Sequence, residues 1–465
     1  MRWRCLGIEA DQLGNEDEAV TNPKPYDISK RMVLEAYRRV KANRGAAGID
    51  GVSLTMFEAD LSRNLYKLWN RLSSGSYFPP PVKQIQIPKK QGGVRILGIP
   101  TVADRIAQQV VVERIGADLF GVFDPDSHGY QLGKSAADAV AVTRQRCWEY
   151  DWVVEFDIRR AYDELDWDLL RKAIVKHVKD PWCLLSIERW LTAPAVSPDG
   201  ESVQRTKGVP QGSVVGPVLM SLFMHYAFDR WMRREHPRNP FARYADDAVA
   251  HCRSESEART LLADIDGRLK ACKLEMHPEK SGVVYCKDSN RRKTYPKVNF
   301  TFLGYEFRPR GVQRRDGKLW TNFLPAVSEA AKKRMRDKIR EWQIPRETSI
   351  SLHELAKRYN HHLRGWLNYF SHFRKSETRA VCDYFDHTLM RWARRKYRKL
   401  SGKWRQSESW LTSMKHKHPG CLSLGSRLEE SRYGQWEPYD IRVSRTVLRG
   451  ALGETPEVYS LPRVG

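Results

Sequence analysis

The residues best suited to chemistry in this sequence are three aspartates set in apolar surroundings. Asp246 and Asp247 follow Tyr244-Ala245 at what reads as a tight turn, with Phe241 before them and Ala248-Val249-Ala250 after. Adjacent carboxylates in such a hairpin are costly to bury unless a cation compensates them. Magnesium suits the place, because this hard ion takes few carboxylates and completes its shell with water and phosphate oxygens. A third acid, Asp157, stands near the end of the apolar strand Trp152-Val153-Val154-Glu155-Phe156-Asp157-Ile158. If the two elements lie side by side in one sheet, the three carboxylates converge and would hold two metal ions about 3.5–4 Å apart, the arrangement of in-line nucleotidyl transfer. One ion then acidifies a primer 3′-hydroxyl and the other neutralises a triphosphate. Taken alone, Asp-Asp is more often a turn or a helix cap, so the weight rests on its surroundings.

Those acids need a scaffold, and the hydropathy pattern is mixed. Met32, Val33, Ala36, Tyr37 and Val40 recur at helical spacing, and a second amphipathic stretch covers Met56 to Leu72. After Pro79-Pro80-Pro81 the period changes to that of strands. Ile85 and Ile87 share a face, Gly92-Gly93 turns the chain, and Val94 to Ile99 returns as the second strand of a hairpin with a cationic surface. Helices are expected over Asp104–Leu119, around Asp168–Val178 and over about Gly216–Met232, with a Gly/Pro turn at Gly208-Val209-Pro210-Gln211-Gly212. Phe241 to His251 reads as two short strands joined at Asp246-Asp247. Helices and hairpins without regular β-α alternation favour an α+β fold over a doubly wound sheet.

Charge points to the partner. The 465 residues carry 80 Lys and Arg against 56 Asp and Glu, a formal net charge of +24. With 41% hydrophobic residues the chain can bury a sizeable core, which excludes a disordered protein. A large one-sign excess calls for a polyanion, nucleic acid or an anionic membrane surface. No apolar run approaches the roughly 20 residues needed to span a bilayer, so no membrane association and a cytoplasmic location are expected. Residues 331–410 hold 21 Lys and Arg against 8 Asp and Glu, over half of the whole excess. The 8 cysteines are scattered without C-x-x-C spacing, which argues against zinc and for reduced, buried thiols.

Several blocks resemble one family in its own order. Tyr244-Ala245-Asp246-Asp247 is similar to the signature box of reverse transcriptases, and Phe156-Asp157-Ile158 followed by Tyr162 resembles their upstream catalytic strand. Ile87-Pro88-Lys89-Lys90 through Pro100 resembles the fingers hairpin, and Gly208 to Ser213 the block beside the incoming nucleotide. His277-Pro278-Glu279-Lys280 and Phe302-Leu303-Gly304-Tyr305 resemble the last palm elements, the latter the primer grip. Asn43 to Gly51, Pro100-Thr101-Val102-Ala103-Asp104-Arg105 and Arg364-Gly365-Trp366-Leu367-Asn368-Tyr369-Phe370 are similar to bacterial group II intron-encoded reverse transcriptase/maturases. The sequence departs from them at Ile158-Arg159-Arg160-Ala161-Tyr162 and at Gly212-Ser213-Val214-Val215-Gly216, and both changes leave the metal ligands in place.

The resemblance implies roles. Asp157, Asp246 and Asp247 would bind two Mg²⁺, with the Ile158 carbonyl a further ligand. Tyr162 would lie under the incoming sugar and exclude a 2′-hydroxyl, though a tyrosine in such a segment can also be plain core. Lys89 and Arg95 suit the triphosphate, and Gln211 the nucleotide or the template backbone. Lys280 is either a phosphate contact or a surface lysine. Trp366, Tyr369 and Phe370 recur at helical spacing, which reads as core. Arg364 and the run Arg391, Arg394, Arg395, Lys396, Arg398 and Lys399, interleaved with Trp392, Tyr397 and Trp404 and free of acids through Gln406, suit RNA phosphates with stacking.

The implied architecture is a right-hand polymerase of α+β class with an antiparallel palm sheet. It comprises a flexible lead-in (1–27), a helical extension of the fingers (28–80), fingers and palm (81–325), a helical thumb or maturase domain (326–410), and a tail (411–465). DNA binding is one open role for the tail. His416, His418 and Cys421 are too few for the family's nuclease. The implied activity is RNA-directed DNA synthesis together with assistance to splicing and retrohoming of a group II intron. Its partners are the intron RNA, an RNA template with a DNA primer, a DNA target and dNTPs, with the oligomeric state open. Two other readings stay open: a domesticated relative serving phage defence or another host process, and a splicing cofactor that no longer polymerises.

Overall fold

The structure is a computed structural model that describes residues 24–43, 45–88, 94–119, 121–131, 133–313 and 319–418. Lys89, Lys90, the lead-in up to residue 23 and the tail from residue 419 lie outside the described residues. In chain order come α1 (Lys30–Asn43), α2 (Leu54–Ala59), α3 (Leu61–Ser73), β1 (Val82–Pro88), β2 (Val94–Ile99), α4 (Val102–Leu119) and α5 (Ala136–Glu149). Next are β3 (Trp152–Phe156), α6 (Ala161–Glu164), α7 (Trp167–His177), α8 (Pro181–Thr192), β4 (Ala195–Val196), β5 (Ser202–Val203) and α9 (Gly216–Met224), then α10 (Arg230–Glu235). Then follow β6 (Phe241–Tyr244), β7 (Asp247–Cys252), α11 (Glu255–Ala271), β8 (Gly282–Tyr285), β9 (Phe300–Phe302), β10 (Tyr305–Gln313) and β11 (Leu319–Val327). The remainder is helical: α12 (Glu329–Glu341), α13 (Leu352–Phe370), α14 (Arg379–Lys396) and α15 (Trp404–Lys417). No helix among the described residues is long and apolar enough to cross a membrane.

Two expected elements are broken. The stretch Met56–Leu72 is two helices that meet at Asp60, whose backbone leaves helical geometry (φ −131°, ψ 54°). The helix expected over Gly216–Met232 is interrupted by a π turn, His225–Asp229, which widens the backbone and buries His225 and Asp229. Helix α5 was missed because its apolar periodicity is weak. Its signal was a capping box, Ser135 with Asp138, in which each side chain accepts from the other residue's N–H.

The chain divides into two compact units. One holds the described residues up to Pro125, with Ile158–Glu235 and Ile265–Met276. Its sheet runs β2-β1-β4-β5, with β1 and β2 antiparallel from Lys83↔Ile99 to Pro88↔Val94. Helix α4 is its centre and is buried on nearly every face, polar Asp104, Gln108 and Gln109 included. Helices α1, α3 and α8 pack on it.

The other unit holds Asp126–Asp157, His236–Asp264 and the described residues from His277 onward. An antiparallel sheet of order β6-β7-β3-β8 carries the acids, and a second sheet runs β11-β10-β9. One apolar core joins Val153, Ala242 and Val249 of the first sheet, Phe300, Phe307 and Phe323 of the second, and Trp366, Phe385 and Trp392 of the terminal helices. The six cysteines among the described residues are free and buried, as the scattered spacing predicts.

Candidate active site

The Asp-Asp pair sits where the hairpin reading places it. Strands β6 and β7 pair from Phe241↔Ala250 to Tyr244↔Asp247, and Ala245-Asp246 makes the turn, with Ala245 at φ +58°. Behind that turn lies a residue the sequence reading missed. Arg243 is fully buried; it donates to the Ala245 carbonyl (2.8 Å) and to Ser127 Oγ (2.9 Å). Its signal was a lone cation inside an otherwise apolar strand. Gly129 packs so tightly beneath that an added Cβ would lie 2.5 Å from the Ala245 nitrogen.

Strand β3 pairs with β7 as far as Phe156↔Ala248, so one further step along the same register sets Asp157 opposite Asp247. The segment after α11 wraps Asp157. His277 N–H donates to its carbonyl (2.8 Å), its own N–H donates to Ser281 Oγ (3.3 Å), and Lys280 Nζ donates to its Oδ2 (2.8 Å). Lys280 thus stands on a carboxylate of the triad.

The Asp247 carboxyl feels both its burial and the acids around it. Asp247 is half-buried and pushed up to about 8, by burial first and then by Asp246. Asp157 and Glu155 add to the shift, while the Leu303 N–H, 3.5 Å from Oδ2, pulls it back. Among the described residues no group of three or more His, Cys, Asp or Glu side chains is already gathered as a metal cluster. The donor set itself fits a divalent cation: hard oxygens that repel one another, one of them holding its proton for want of positive charge.

The turn read as primer grip closes β9 and β10 through Phe302↔Tyr305, with Leu303 at φ +51° and Gly304 at φ +81°. That geometry is a type I′ hairpin turn, which glycine favours at its second position. Helix α13 pins it. Tyr369 Oη donates to the Leu303 carbonyl (2.8 Å), and Tyr305 Oη donates to the Tyr369 carbonyl.

In the first unit the structure brings Arg95, Tyr162 and Gln211 together. Arg95 Nε donates to Gln211 Oε1 (2.7 Å), Gln211 Nε2 reaches Asp163 (3.3 Å), and Val209 N–H donates to the Tyr162 carbonyl (2.8 Å). Gly212, at φ +109°, must be glycine, since a Cβ would stand 2.4 Å from the Gly98 oxygen.

The basic helix divides into two sorts of residue. Arg364, Arg391, Arg395, Arg398 and Lys399 are exposed. Lys396 instead donates to the carbonyls of Thr348 (2.8 Å) and Ile350 (2.7 Å), and the Arg394 guanidinium lies 5.7 Å from the Trp404 ring. Trp392 was expected to interleave for stacking. It is wholly in the core, its Nε1 donating to the Glu347 carbonyl (2.9 Å), because the helix needs an apolar anchor there. Trp366, Tyr369 and Phe370 are core residues, as their spacing predicts.

Comparison with known proteins gives the class. Residues 87–307 match the family described as reverse transcriptase (RNA-dependent DNA polymerase), and residues 332–410 match the group II intron, maturase-specific domain. Fold and site together define a reverse transcriptase-type polymerase with a helical region of maturase type. The group II intron-encoded protein LtrA of Lactococcus lactis subsp. cremoris is 24% identical, covering 94% of this chain and 82% of its own length. Protein YkfC of Escherichia coli (strain K12) is 28% identical over 59% of this chain and 79% of that protein. The putative COX1/OXI3 intron 1 protein of Saccharomyces cerevisiae is 22% identical over 78% of this chain, which spans only 52% of that relative. The chain belongs to the group II intron-encoded reverse transcriptase/maturases.

Proposed function

We propose that this chain copies RNA into DNA from a DNA primer, using dNTPs and two Mg²⁺ ions, and binds its group II intron RNA to assist splicing and insertion at a DNA target. A cytoplasmic location follows from that role. The observation that carries the reading is the crowding of Asp157, Asp246 and Asp247 at one end of an antiparallel sheet, with Asp247 pushed up to about 8. Carboxylates that destabilise one another are kept where a function needs them.

Asp157, Asp246 and Asp247 would hold the ions, and the Ile158 carbonyl would add a ligand. When bound, the pair supplies Lewis acidity at the primer 3′-hydroxyl and charge neutralisation at the triphosphate. The protein's share is placement. Lys89 and Arg95 take the triphosphate, Arg95 through a planar fork already aimed by Gln211. The Tyr162 ring limits the space at the sugar 2′ position. Lys280, paired with Asp157, becomes available to phosphate oxygens when that carboxylate takes another cation. The turn Phe302-Leu303-Gly304-Tyr305 holds the primer end, and Arg364, Arg391, Arg394, Arg395, Lys396, Arg398 and Lys399 contribute the positive field that intron RNA meets.

Primer extension on an RNA template with Mg²⁺ tests the reading. The wild type is expected to extend and Asp246→Asn, folded to the same melting temperature or higher, is expected not to. Extension retained by that variant overturns the assignment of the acids.

A further inference from the structure

Helix α4 is buried on most faces, and its polar Asp104 and Gln108, one turn apart, are 1% and 2% exposed. Buried polar groups persist when every donor and acceptor is matched. Asp104 accepts from Trp190 Nε1 (2.7 Å), Tyr77 Oη (3.0 Å) and Gln108 Nε2 (2.9 Å). Gln108 Oε1 then faces the other way and accepts from Ser213 Oγ (2.9 Å), Val214 N–H (2.7 Å) and Val215 N–H (3.3 Å).

This arrangement has one polarity. A carboxylate only accepts, so Asp104 fixes which end of the Gln108 carboxamide it meets; the reverse orientation would aim an NH₂ group at two N–H donors. The groups that Gln108 receives end the loop Gly208–Ser213 and begin α9. The same loop is held elsewhere by Gly98 N–H on the Gln211 carbonyl (2.7 Å) and by Gly208 N–H on the Leu165 carbonyl (2.8 Å). Gln211 therefore sits in a segment whose downstream anchor is a single buried carboxamide.

We propose that Gln108, oriented by Asp104, is a positioning residue that holds the loop Gly208–Ser213 in the shape presenting Gln211 to the incoming nucleotide. The inference rests on the nucleotide-binding reading of Gln211. Gln108 itself touches no substrate; it sets the affinity for dNTP through the loop.

The test is steady-state primer extension on an RNA template by the full chain, with KM for dNTP, kcat, template–primer Kd and melting temperature measured together. Gln108→Met keeps the volume and leaves three donors unmatched. It is expected to raise KM for dNTP roughly tenfold while kcat and template–primer Kd stay within about twofold. Ser213→Ala, which removes one donor and leaves α4 intact, is expected to raise KM about threefold and serves if Gln108→Met does not fold. Asp104→Asn and Gln108→Glu should each raise KM, the second because two carboxylates then face each other. The double variant Asp104→Asn/Gln108→Glu restores every donor and acceptor with the charge moved one turn, and its KM should return to within about threefold of wild type. An unchanged KM in folded Gln108→Met, or a double variant no better than the worse single, overturns the proposal. Gln211→Ala separates the two readings. If it leaves KM for dNTP unchanged, the nucleotide reading of the loop falls and takes this inference with it; if it raises KM and Gln108→Met does not, only the inference about Gln108 falls.

Discussion

Replacing Asp247 with Asn should make the metal-free protein more stable while abolishing synthesis. Burial and Asp246 raise the Asp247 carboxyl from 3.8 to about 8. For an acid raised in the folded state, the stabilising contribution is complete below the unfolded value and is lost as pH rises through the folded one. The loss therefore runs from about pH 4 to about pH 8, as the folded protein is forced to ionise a carboxyl it prefers protonated. At about 1.36 kcal/mol per pH unit the full shift has a ceiling of about 5–6 kcal/mol. Partial solvent access screens it, and about 1–2 kcal/mol is the expected size. Asn removes the titration and keeps the shape. In EDTA at pH 8.5 the variant should melt on the order of 2–4 °C above wild type, and at pH 4.5 the two should coincide. Asp104, raised to about 6, also titrates in this range, so the difference between the two proteins at each pH is the quantity to read. Mg²⁺ at pH 8.5 should raise the melting temperature of wild type more than that of Asp247→Asn. A variant that is no more stable at pH 8.5, or whose advantage does not vary with pH, would refute the claim that burial and the neighbouring carboxylate make ionised Asp247 costly in the fold.

Four other outcomes are expected. Glu377→Gln leaves Arg310 (3% exposed) and Lys332 (8%) without the carboxylate that bridges them at 2.8 and 3.0 Å, and should cost about 2–3 kcal/mol in urea unfolding. Gly129→Ala forces a methyl against the backbone of the Ala245 turn and should depress both melting temperature and extension rate, by more than 1 kcal/mol in stability. Tyr162→Ala should raise ribonucleotide incorporation relative to deoxyribonucleotides, and unchanged sugar discrimination would assign that ring to packing. Arg391→Ala and Arg398→Ala should each flatten the plot of log affinity for intron RNA against log salt by roughly 1, without changing the melting temperature.

Much of the site was legible because its signals are local. An Asp-Asp pair between two short apolar runs, an acid at a strand end and a glycine in a two-residue turn are each written within about ten residues. The parts that escaped are bonds across long stretches of chain. Gln108 meets Ser213 and Val214, and nothing near Gln108 announces it; a polar residue in a helix reads as solvated face. Arg243 is hidden in the same way, since its partners are Ser127 and the next turn. Trp392 shows the opposite error. Six bases and a tyrosine nearby suggested a stacking surface, but on a helix one face can be charged while the next is core, and the tryptophan belongs to the second. The π turn at His225–Asp229 leaves the apolar run unbroken and so leaves no mark in periodicity.

Tyr305, whose ring lies 5.2–5.4 Å from Tyr369, Phe370 and Phe373, belongs to the sheet β11-β10-β9 and is covered by α13 and the residues just after it. A stop codon after Val327 would strip Tyr305 of these three rings and open the shared core to water, and the truncated product would be a substrate for proteases and aggregation before it could be a slow enzyme. The strands of this unit and its terminal helices are therefore bound together as one folding core.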